Sequence, residues 1–195
     1  MFPAPRAGRP RRYEFIPAPG FANPQAALAV GALDELTERL LDLLRDLPPE
    51  ALHFKPQGAG NTIFMLTLHM AAAEARWVSR VTGAAVPPEL DRALAPGMQD
   101  ASGQLPSSSG DLAQLMEACR AARQFTRQNL APITGLDRPV QSGSMSITAG
   151  GVLLHLLWHW TYHTGQAGLL RRLFGARYQW TFDKKLAGPA ESDDP

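Results

Sequence analysis

The sequence predicts an all-α protein, a four-helix bundle with long crossover connections, and three observations lead there. Four long segments carry apolar residues at three- and four-residue intervals between helix-start and helix-stop signals. No segment shows the apolar–polar alternation of a half-buried strand. Two connections are long and rich in Pro, Gly and Ser, which suits crossovers better than tight reversals.

The first helix opens at Asn23-Pro24, where Asn can cap free N–H groups and proline tolerates the first helical position. Leu33, Leu36, Leu40, Leu43, Leu44 and Leu47 form its stripe, and Pro48-Pro49 stops it after Leu47. Past a connector through Pro56, Gly58 and Gly60, Asn61 offers a cap for a helix from about Thr62 to Thr82, closed by Gly83. Residues 84–110 read as a long loop with one short helix near Pro88 to Ala93. Ser109 or a neighbour opens the third helix, with Leu112, Leu115, Met116, Cys119, Ala122, Thr126 and Leu130 inward and Arg120, Arg123 and Arg127 off the stripe. Pro132 to Ser146 is the second crossover, and Thr148 starts a fourth long helix that ends at Gly175. The expected division is a Pro/Arg-rich arm over residues 1–22, the bundle over 23–176 and a polar tail over 177–195.

Composition narrows the function classes. The chain has 195 residues, 45% of them hydrophobic, enough apolar material for one core. One cysteine excludes an internal disulfide and a Cys-pair zinc ribbon, so a cytoplasmic location is expected. Cys119 sits where a core residue should, not where an activated thiol would. A net charge of +1 argues against nucleic acid as the main partner. The Arg-bearing arm reads as a solvated tail, and neither apolar segment, Ile63 to Ala73 or Val152 to Trp160, reaches the length of a membrane span.

Five histidines remain, and four have a pattern. His155, His159 and His163 recur every four residues, a drift of about 40° per step, and so share one face with Val152, Gln166, Leu170 and Leu173. His69 lies in an equivalent apolar stripe among Met65, Leu66, Ala72 and Ala73. One inward His on one helix and an inward His-x-x-x-His on another can bring three imidazoles to one metal ion. Residues four apart rise about 6 Å, so His159 can pair with either His155 or His163, whereas all three cannot reach one ion from a straight helix. Spacing leaves that choice open. Glu-x-x-His occurs once, at Glu50 to His53, outside the long helices, which excludes a carboxylate di-iron set. His53 itself has no assigned role.

Gly60-Asn61-Thr62-Ile63 with Leu68-His69, and His159-Trp160-Thr161-Tyr162-His163-Thr164-Gly165-Gln166, resemble the DinB/YfiT-like superfamily of metal-binding helical proteins. The resemblance spans about Pro24 to Gly175. It implies a four-helix bundle, often a homodimer, with zinc or nickel held by His69, His159 and His163, and it makes His155 a pocket neighbour. Thr164 departs from the family's frequent Arg before Gly-Gln. Branches of the superfamily look like thiol S-transferases, so the implied function is activation of a low-molecular-weight thiol such as bacillithiol or mycothiol, or of water, for attack on an electrophilic small molecule. Arg76 and Gln166 are the candidates for contacting the thiol, with surface salt bridging as the alternative for Arg76. A non-catalytic, metal-stabilised binding or stress-response protein is the rival function. Leu153, Leu154, Leu157, Trp158 and Trp160 point away from the histidines, leaving the first half of the fourth helix apolar nearly all round, for which packing within the bundle accounts in part and a homodimer interface is the preferred explanation.

Overall fold

The computed structural model describes residues 6–11, 16–57, 60–143, 145–176 and 178–182. Four long helices dominate it: α1 (Pro24–Leu44), α3 (Ile63–Thr82), α5 (Leu112–Leu130) and α6 (Ala149–Phe174). The short helices α2 (Pro49–Leu52) and α4 (Pro88–Leu94) lie in the connections, the latter followed by a 3-10 turn at Ala95–Gly97. α3 packs between α5 and α6, and α1 packs against the same two. The consecutive long helices α1 and α3 therefore sit diagonally, as do α5 and α6, so their connections are crossovers, whereas α3 and α5 pack directly.

Local chemistry sets the helix ends. Asn23 accepts from the N–H groups of Gln25 and Ala26 at 2.9 and 3.0 Å, Thr62 from Met65 at 3.2 Å, Asp111 from Gln114 at 2.7 Å, and Thr148 from Gly151 at 3.0 Å. At the far ends Gly83 and Gly175 take φ of 78° and 95°, a left-handed cap that suits glycine. Three boundaries differ from expectation. α1 stops at Leu44 rather than Leu47, because the proline after Leu47 disfavours helical backbone there. Thr62 and not Asn61 caps α3, and Asp111 and not Ser109 caps α5.

Two short strand pairs were not anticipated. β2 (Pro139–Ser142) and β3 (Met145–Thr148) form an antiparallel hairpin inside the second crossover. β1 (Arg6–Arg11) and β4 (Tyr178–Phe182) pair in parallel, joining the segments read as arm and tail. The rest of the arm and tail lies outside the described residues. No described helix is long and apolar enough to cross a membrane.

Leu33, Leu40, Leu43, Met70, Leu115, Leu156 and Trp160 are among the largest fully buried side chains. Arg123, expected off the stripe, is buried: its guanidinium meets Glu74 at 2.8 Å, donates to Thr37 Oγ1 at 2.8 Å and lies 5.1 Å from the Trp160 ring centroid. Glu74 is fully buried and accepts a further bond from Thr126 at 2.5 Å. Burial pushes the Glu74 carboxyl up from its ordinary range, and the Arg123 charge pulls it back. Two mutually neutralising charges explain how an arginine enters an apolar core. The faces of α6 also differ from expectation: Leu153 and Trp160 join the core, whereas Leu173, assigned to the histidine face, is exposed.

Candidate metal centre

The histidines meet where α3 packs on α6. Capping at Thr62 sets the helical phase of α3 and places His69 two turns in, buried against α6. Capping at Thr148 does the same for His159 and His163, which are partly buried at mid-helix. Each of the three rings can offer one nitrogen such that all three lie within 4.8 Å of one another. His159 Nε2 and His69 Nε2 are 3.1 Å apart, close to the roughly 3.3 Å between two nitrogens bound tetrahedrally at about 2.0–2.1 Å. The rings stand at steep angles, 64° between His69 and His159 and 76° between His159 and His163, so their edges converge.

Hydrogen bonds select the nitrogens. His69 Nδ1–H donates to the Gly97 carbonyl at 2.9 Å, and His163 Nδ1–H donates to Gln166 Oε1 at 2.6 Å. Both bonds leave Nε2 with a free lone pair, the state a metal needs. His159 Nδ1 is buried without a hydrogen-bond partner. Burial lowers the pKa of His69 and His163, each partly offset by its hydrogen bond. His159 is pushed down to about 3, by burial first and then by the three neighbouring imidazoles. All three rings are therefore neutral donors at pH 7. The donor set fits one divalent cation, with coordination left open for a further ligand.

His155 stands outside the convergent group. Its ring packs 5.5 Å from His159 and 5.6 Å from Trp77, centroid to centroid, so it lines the site, and the choice left open by spacing falls on His163. Burial lowers its pKa as well. Gln166 holds His163. Arg76 forms an ion pair with Asp91 at 2.5 Å that ties α3 to α4. Arg80 lies over Trp77 and donates to Ser142 at 3.0 Å. His53 bonds the Gly110 carbonyl at 2.9 Å and packs on Phe64, fastening α2 to the loop before α5. Cys119 is buried in the core, and burial, with the nearby Glu74 charge, pushes its thiol up to about 12. A cavity of about 420 Å³ between α1 and α5 has Arg123 and Thr37 but no histidine in its wall, and is a separate feature.

Sequence reasoning missed the Gly97 carbonyl, since a backbone acceptor in a loop leaves no side-chain signature. It also missed Glu74, although a lone acid in Met70-Ala71-Ala72-Ala73-Glu74-Ala75 is a legible sign of a buried charge.

Residues 28–175, which include all three histidines, match the family model for mycothiol S-transferase. The chain belongs to the mycothiol S-transferase family. That family is DinB/YfiT-like, as the histidine motifs implied. Among solved structures, the crystal structure of a conserved protein from Enterococcus faecalis is similar at 18% identity, covering 75% of this chain and 94% of that one with a TM-score of 0.63. At that identity the likeness shows a shared fold. No curated protein matches the sequence.

Proposed function

We propose that this chain is a metal-dependent S-transferase that joins a low-molecular-weight thiol to an electrophilic small molecule. The observation that carries the proposal is the convergence of His69, His159 and His163, two of them locked with Nε2 free, inside a chain of the mycothiol S-transferase family. His69, His159 and His163 would hold the ion, and the family supports mycothiol over bacillithiol as the thiol. Zinc and nickel both suit three imidazoles. Such an ion, when bound, lowers the pKa of a coordinated thiol so that the sulfur is a thiolate at neutral pH.

The chain's residues supply the rest. The Gly97 carbonyl and Gln166 hold His69 and His163 in one tautomer, so no proton has to move before the site can bind. His155, neutral at pH 7, and Trp77 line the approach to His159. Gln166 and Arg76 are proposed to face the thiol, for which Arg76 would have to leave Asp91. Cys119 takes no part. A cytoplasmic location, where the thiol is kept reduced, belongs to the same proposal, and the partners are the thiol, its electrophile and a second copy of this chain.

The test is transfer itself. Metal-loaded protein is incubated with mycothiol, bacillithiol or glutathione and an electrophile such as a haloarene, and the thioether is followed by mass spectrometry. Turnover with mycothiol that is lost in His159→Ala supports the proposal. Metal binding without thioether formation from any thiol refutes it, and favours the non-catalytic, metal-stabilised reading.

A further inference from the structure

We infer that Arg80, Trp77 and Ser142 form a subsite for the carboxylate of an acidic small molecule, about two helical turns along α3 from His69. That the small molecule is the electrophile rests on the S-transferase reading; the subsite itself rests on this chain's own geometry. Arg80 follows His69 by about three turns of α3, so the two side chains leave the helix within about 20° of each other. Long side chains on a helix run back toward its N-terminus, and the Arg80 guanidinium accordingly lies 5.0 Å from the Trp77 ring centroid. Trp77 is about 12 Å along α3 from His69. The same Trp77 ring packs 5.6 Å from His155, whose ring packs 5.5 Å from His159. One continuous wall of rings thus leads from the candidate metal centre to the guanidinium.

What marks Arg80 is a missing countercharge. Among the described residues no carboxylate pairs with it; its neighbours are an aromatic face and the Ser142 hydroxyl, which accepts from Nη1 at 3.0 Å. Arg76, one turn nearer His69 on the same face, is already neutralised by Asp91. The helix dipole favours a cation in the last turn of α3, yet Arg80 donates to Ser142 and to no carbonyl of that turn. The Trp77 ring and the hydroxyl therefore hold the guanidinium in place without discharging it.

That arrangement suits a carboxylate. The guanidinium is exposed, and its remaining N–H groups form a fork that matches two carboxylate oxygens. Ser142 accepts from Arg80 and still has its own O–H to donate. Mycothiol carries no carboxylate, so the acid belongs to the electrophile; bacillithiol does carry one and is the competing source. A benzene ring with a short acyl arm covers most of the interval between the histidines and Arg80.

Binding of nitrobenzoyl-β-alanine, which cannot react, and of its methyl ester tests the subsite by titration calorimetry on metal-loaded and on chelator-treated protein. The acid should bind about 10–100-fold more tightly than the ester in both, the value of a charge-assisted hydrogen bond. Arg80→Met should bring the two within about twofold, Arg80→Lys should keep part of the preference, and Arg120→Met, at an exposed position on α5, should keep all of it. A preference that vanishes with the metal would put the carboxylate on the ion. Equal losses of acid and ester in Arg80→Met would make the residue structural. Either result overturns the inference. Transfer is read separately, with the chlorinated acid and ester: a C–S bond forms, chloride leaves and the thiol proton passes to solvent. With mycothiol, the ratio of kcat/KM for acid over ester should fall about 10–100-fold in Arg80→Met. An Arg80 requirement confined to bacillithiol, alike for acid and ester, would assign the carboxylate to the thiol and overturn the inference. No thioether from any thiol refutes the S-transferase reading, while the binding result still decides the subsite.

Discussion

Gly97→Ala isolates the carbonyl that orients His69. A methyl group at Gly97 would stand 2.6 Å from the Leu68 carbonyl oxygen, 2.8 Å from its carbon and 3.1 Å from Ala72 Cβ. Two of those atoms are backbone of α3 and cannot rotate aside. Reaching ordinary contact at 3.4 Å requires the Ala95–Gly97 turn to retreat by about 0.8 Å, which carries a 2.9 Å hydrogen bond to about 3.7 Å, beyond bonding range. His69 then loses the bond that fixes its tautomer, and its buried N–H is left unsatisfied at a cost of about 1–3 kcal/mol. Loss of such an outer bond lowers metal affinity about 10–100-fold. Competition against a chromophoric chelator measures this, with Gly60→Ala as the control because its methyl would meet nothing within 4 Å. Affinity in Gly97→Ala within about twofold of wild type, in folded protein, would refute the orienting role; so would an equal loss in Gly60→Ala.

Three further outcomes are expected. Glu74→Ala removes the buried carboxylate that Arg123 meets at 2.8 Å, leaving it only the longer 3.7 Å pairing with Asp34, and should cost about 3 kcal/mol in urea unfolding, while the paired change Glu74→Leu with Arg123→Met recovers most of it; a loss below about 1 kcal/mol sinks this account of the core. In metal-free protein the histidines of the site have pKa values below the unfolded 6.5, His159 near 3, so the unfolded chain binds more protons in between. Stability is then full above about pH 6.5 and falls as the pH drops toward 3, with a shallower fall in His159→Leu; equal slopes for the two proteins would contradict it. Cys119 should react with a thiol reagent only as fast as the protein unfolds, and rapid labelling of the native state would disprove its burial.

What could be read in advance was carried by short-range chemistry. Asn23-Pro24, Thr148, Gly83 and Gly175 act on backbone a few residues away, and the helix ends they set were readable to within a residue. The four-residue histidine period likewise depends only on helix geometry. What could not be read depends on contacts made at a distance. The burial of Arg123 requires Glu74 from another helix. β2 and β3 supply each other's hydrogen bonds, and the alternation of Met145-Ser146-Ile147-Thr148 is too short to signal a strand alone. Spacing could not choose between His155 and His163, because only the phase of α6 against α3 decides which ring meets His69. The first half of α6 was legible as apolar, whereas Leu153 and Trp160 turn inward because α1 and α3 cover their side of the helix.

Metal content of the purified chain beside four single variants bears most directly on the centre. His69→Ala, His159→Ala, His163→Ala and His155→Ala are loaded with zinc or nickel, desalted and measured by elemental analysis. The geometry predicts a stoichiometric divalent ion in wild type and in His155→Ala, and its loss from the other three. Stoichiometric metal retained by His69→Ala, His159→Ala and His163→Ala, or absent from wild type, would contradict it.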